Sequence, residues 1–84
     1  MNNMETRFII KTNDGRYVKA GTDSATEFAK SIFAAKMFKN QDAARQCVAG
    51  SKRFVNKYGG IIGGNYPTDY TIVLVEIHEV GIIN

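Results

Sequence analysis

Eighty-four residues with a net charge of +3, one cysteine and one histidine make a single small domain. That inventory excludes an internal disulfide, and Cys47 with His78 cannot assemble a zinc site by themselves. No run approaches the length that spans a bilayer, and the start MNNMETR lacks the apolar stretch of a secretory leader, so a soluble, reducing, cytoplasmic setting is expected.

The first residues, 1–6, are polar and expected to fray. Phe8-Ile9-Ile10 then leads through Asn13-Asp14-Gly15 to Arg16-Tyr17-Val18-Lys19-Ala20. Asn, Asp and Gly tolerate positive φ, so this is a hairpin signal, with strands near 7–12 and 16–20. Phe8 and Ile10 share one face; on the second strand Tyr17 and Lys19 share one face, Val18 and Ala20 the other. The next piece, 25–38, reads two ways. Thr26–Lys30 extends the hairpin as a third strand, or Asp23 or Ser24 caps a helix with Phe28, Ile32 and Ala35 on one side. The favoured reading is a short strand followed by one helical turn around Ser31–Ala35. Phe28, Phe33, Met37 and Phe38 are expected in the core, the last two under the start of the main helix.

The stretch from Asn40 to Gly60 organises the rest. Asn40 suits an N-cap, and Asp42 lies near the positive end of the helix dipole. Ala44, Cys47, Val48, Ser51, Phe54, Val55 and Tyr58 recur at spacings of three and four, one face of a helix. Gly59-Gly60 reads as the stop. Gly50 costs about 1 kcal/mol against Ala within a helix, and a close backbone approach would account for it. Cys47 on the stripe reads as a small buried hydrophobe. The opposite face carries Arg45, Lys52, Arg53 and Lys57. A solvated outer face is the commoner reason for such residues, and Lys57 also suits the negative helix end. The functional alternative is a positive patch for phosphates or acidic protein. Charge asymmetry supports it: residues 30–57 hold seven cations against Asp42 alone, a net +6, while the remainder nets −3.

Residues 61–70 form a Gly/Asn/Pro loop, with room for a short strand at Ile61-Ile62. Tyr66 and Tyr70 either lie over the core edge or serve as recognition residues. GGIIGG matches no phosphate-loop pattern. Residues 71–80 (TIVLVEIHEV) form the last strand. Its first half is apolar on both faces, as in a central strand or one buried in a subunit contact, and with the apolar end Gly81-Ile82-Ile83 it suggests a homodimer or a docking strand. The fold class is α+β: a small antiparallel sheet, β-β-(β)-α-β, packed on one main amphipathic helix.

FIIKTNDGRYVK, AAKMFKNQDAARQCV and a closing valine-rich strand together resemble small bacteriophage and prophage proteins, through Asn13–Gly15, Ala35–Phe38 and Asn40–Ala44. The resemblance spans most of the chain in fold pattern and transfers no site residue. It implies a non-enzymatic binder, in the manner of phage inhibitors of host defence such as anti-CRISPRs, acting in the host cytoplasm. No nucleophile, base or paired carboxylates sit at a suggestive spacing, so no catalytic residue, metal or cofactor is assigned. Arg45, Lys52, Arg53, Lys57, Tyr66 and Tyr70 are the candidate partner-binding residues. The expected partner is a host protein or protein–nucleic acid complex. The alternatives are nucleic acid on the basic helix face and a nucleotide at the Gly/Tyr loop.

Overall fold

The computed structural model describes residues 5–21, 26–62 and 66–77. Four strands, β1 (Glu5–Thr12), β2 (Tyr17–Gly21), β3 (Thr26–Ala29) and β4 (Tyr70–Ile77), form one antiparallel sheet in the order β3-β2-β1-β4. Among the described residues one long helix, α1 (Gln41–Ile62), packs on it, giving an α+β fold of two layers.

The β1–β2 turn follows from its residues. Gly15 takes φ +86°, and Thr12 and Arg16 both hydrogen-bond the Asp14 carboxylate. Beyond it the hairpin opens, because β1 and β2 pair only at Lys11 and Tyr17. Lys36–Phe38 fills the gap. The Lys36 amide donates to the Val18 carbonyl at 3.1 Å, while Phe38 and Phe8 exchange two backbone bonds of 2.8 Å. The polar groups that the splayed strands would leave unpaired are thereby satisfied. A bulge at Lys19 breaks the expected alternation: Val18 pairs with Phe28 and Ala20 with Glu27, so Lys19 is the extra residue.

Of the two readings of 25–35, the strand followed by a turn is the one adopted. β3 ends at Ala29, and a 3-10 turn (Ile32–Ala34) is capped by the Ser31 hydroxyl, which accepts from the Phe33 amide. The core lies between helix and sheet, built on Ile10, Val18, Phe38, Ala44 and Cys47, with Phe8, Phe28, Val48, Tyr70 and Ile72 against it. Each large apolar side chain there contributes roughly 1.5–3 kcal/mol. Two expected core residues are not in it. Phe33 is 92% exposed and Met37 44% exposed, because the segment from the turn to Met37 crosses the sheet face away from the helix, beside Ile9.

α1 starts as expected: the Asn40 side-chain oxygen accepts from the Ala43 amide at 2.8 Å. Ala44, Cys47, Ser51 and Phe54 are buried, with Val48, Val55 and Tyr58 half-buried beside them. Gly50, expected beside a close approach, is itself buried. The end is not where the sequence places it. The helix runs through Gly59-Gly60 to Ile62, so Ile61-Ile62 is no strand and Lys57 is not in the last turn. Gly59 has no positive φ. Its bare face lies under the Tyr66 ring, 3.5 Å from where a Cβ would stand, so the glycine marks a packing surface rather than a stop. The expected strand residues 78–80, the loop residues 63–65 and the apolar end 81–84 lie outside the described residues.

Candidate functional site

Tyr66 to Tyr70 crosses beside the middle of α1, and Asn13 holds it there. The Asn13 carboxamide oxygen accepts from the Thr68 and Asp69 amides, at 3.2 and 3.3 Å, and its NH2 donates to the Thr68 hydroxyl at 2.7 Å. The Asn13 amide also donates to the Asp69 carbonyl at 3.1 Å. A residue read from sequence as turn-former is thus also a clamp on the segment 55 residues away.

The clamp closes one side of a cleft of about 390 Å³. Lys52, Val55 and Asn56 of α1 form one wall; Tyr66, Pro67, Thr68 and Tyr70 form the other. Lys52 and Asn56 are exposed, one helical turn apart. The Lys52 ammonium lies 5.9 Å from the centre of the Tyr70 ring, a cation–π approach. Tyr66 stands edge-on to Phe54 and Phe28, with centroids 6.2 and 6.3 Å away. Tyr70 lies against Phe28 at 6.4 Å, and its hydroxyl accepts from the buried Ser51 hydroxyl at 3.5 Å, which also contacts the Thr26 hydroxyl at 3.2 Å. Both tyrosines are half-buried, so they combine the two sequence readings: they cover the core edge and present one side to the cleft.

Three of the six candidate residues, Lys52, Tyr66 and Tyr70, therefore meet in one place. Arg45, Arg53 and Lys57 are exposed on the same helix but do not line the cleft. Arg45 lies 3.5 Å from Asp42, and the Lys57 ammonium lies 5.2 Å from the centre of the Tyr58 ring. Sequence reasoning took Pro67 and Thr68 only as part of the Gly/Tyr loop; it missed Asn56 as lining and Asn13 as the residue that sets the wall. The i, i+4 spacing of Lys52 and Asn56 was the one available signal.

No reactive group stands out in the cleft. The thiol of Cys47 is buried in the core, and burial raises its pKa, which Lys36 nearby offsets in part. Asp14 has its pKa lowered to about 2 by hydrogen bonds from Arg16 and Thr12, and it serves the hairpin turn. Among the described residues no group of three or more His, Cys, Asp or Glu could hold a metal ion, and no helix is long and apolar enough to cross a membrane. No family model matches the chain, and no match was found among curated proteins or solved structures.

Proposed function

We propose that the chain is a non-enzymatic binding protein that seats an acidic part of a macromolecular partner in the Lys52–Tyr66–Tyr70 cleft. Arg45, Arg53 and Lys57 on the exposed helix face extend the same positive field. The carrying observation is the meeting of an exposed lysine with two half-buried tyrosine rings in a cleft of about 390 Å³. Tyrosines whose rings are already packed bring contact area at little further entropic cost, and a cation beside them selects for negative charge. The resemblance to small phage proteins makes the particular partner a host protein, such as a CRISPR or other defence nuclease, inhibited stoichiometrically in the host cytoplasm.

The test is affinity capture from bacterial lysate with the tagged chain, in parallel with a Lys52→Glu variant. One specific protein retained by the wild type and lost by the variant supports the reading. Equal retention by both removes the cleft from it, and the absence of any specific protein argues against partner capture altogether. The same cleft favours a second reading, nucleic acid, because aromatic rings beside a cation can stack a base and meet a phosphate. Fluorescence anisotropy with single- and double-stranded oligonucleotides at low salt discriminates: affinity falling steeply with salt supports it, and a flat titration excludes it. A nucleotide bound alone would appear as thermal stabilisation in a screen of free nucleotides. Self-association through the C-terminal strand is a further contact that we assign to the chain.

A further inference from the structure

We infer that the outer edge of β4 pairs with β4 of a second copy of this chain, antiparallel about a two-fold axis through Val73. Backbone parity carries the inference. The Asn13 amide bonds the Asp69 carbonyl, and the ladder continues with Lys11 opposite Thr71, Ile9 opposite Val73 and Arg7 opposite Val75. Phe8 turns both its N–H and its C=O to Phe38, on the side away from β4, so the odd-numbered residues of β1 face β4. In an antiparallel pair, alternate residues turn their backbone groups to the same neighbour. Thr71, Val73 and Val75 therefore face β1, while Ile72 and Leu74 turn theirs outward. Among the described residues β4 is the last strand of the sheet on this side.

Among the described residues, the Thr71–Val75 part of that edge lacks the usual protection. The opposite edge strand, β3, is four residues long, carries Glu27 and is paired through a bulge. β4 is eight residues long, carries its one charge, Glu76, next to its end, and is fully paired on its inner side without a bulge. Its segment Thr71–Val75 contains no charge, proline or glycine. Long, flat, uncharged edges are templates for another strand.

The segment is also self-complementary, which makes a second copy the occupant. With Val73 on the axis, Ile72 faces Leu74 of the partner subunit, and the reverse pair follows by symmetry. Those two pairs close four backbone hydrogen bonds on the outward groups and bring together side chains that a monomer leaves partly exposed; Leu74 is 56% exposed. On the other sheet face Val73 meets Val73 of the partner subunit. No like charges oppose one another in this register, as an isologous contact requires.

The test is sedimentation velocity and native mass spectrometry on the full chain at tens of micromolar. The wild type is expected at twice the 9.3 kDa chain mass, and Leu74→Lys at the single mass with an unchanged circular dichroism spectrum. Val73→Cys keeps the assay decisive should Leu74→Lys unfold. A non-hydrogen-bonded antiparallel pair has its Cα atoms about 4.5 Å apart, within the span of a disulfide. Mild oxidation should thus give a covalent dimer from Val73→Cys and none from the wild type, whose Cys47 is buried. A monomeric wild type overturns the inference. So does a dimer that Leu74→Lys leaves intact while Val73→Cys does not cross-link. Leu74 does not line the cleft, so failure here is distinguishable from failure of partner capture.

Discussion

Replacing Gly59 by alanine separates two accounts of how the helix ends. If Gly59-Gly60 were a left-handed cap, a Cβ at position 59 would be strained and the variant destabilised. In the fold described here α1 continues to Ile62 and Gly59 has ordinary helical backbone. A Cβ there would lie 3.5 Å from Tyr66 Cδ2 and 3.5 Å from Val55 Cγ1, normal van der Waals contact requiring no shift. What remains is helix propensity, which favours alanine by about 1 kcal/mol. For a domain of this size that corresponds to a rise in Tm of roughly 4–8 °C. The assay is thermal unfolding followed at the helical circular dichroism band, with urea unfolding as a check on cooperativity. A fall in Tm would refute the continuous helix and restore the glycine pair as a terminator.

Phe54→Ala should cost about 3–5 kcal/mol in urea unfolding, because the ring is buried beneath α1, whereas Phe33→Ala should stay within about 0.5 kcal/mol. Ser51→Ala removes the hydroxyl shared with Thr26 and Tyr70 and should destabilise by about 1 kcal/mol, the low end for a lost hydrogen bond because Tyr70 can turn to water. The Asp14 pKa is depressed from 3.8 to about 2, so its contribution to stability is complete above about pH 4 and is lost as pH falls through about 2. Asp14→Asn should flatten that part of the acid-unfolding curve, and an identical curve would show that the turn ion pair is not formed.

The parts of the fold legible in the sequence are those set by local chemistry. Asn13-Asp14-Gly15 specifies its turn, Asn40 specifies the start of α1, and the spacing from Ala44 to Tyr58 specifies which face is buried. What sequence could not show depends on contacts between distant segments. Phe33 and Phe38 look alike in a linear reading. Phe38 is drawn into the gap between β1 and β2 by backbone bonds to Phe8, while Phe33 is carried over the other sheet face. Gly59 looks like a cap until Tyr66 is seen packed on it. The cleft was half legible: Lys52, Tyr66 and Tyr70 were candidates separately, but their meeting depends on the clamp of Asn13 on Thr68 and Asp69.

The most direct test of the cleft is isothermal titration of the captured partner, purified, against the wild type and Lys52→Glu. Lys52 is exposed, so the substitution should leave Tm unchanged. Reversing its charge beside an acidic surface should weaken binding at least about tenfold, corresponding to about 1.4 kcal/mol. Equal affinity of the two proteins, both fully folded, would contradict the assignment of the cleft as the partner-binding surface.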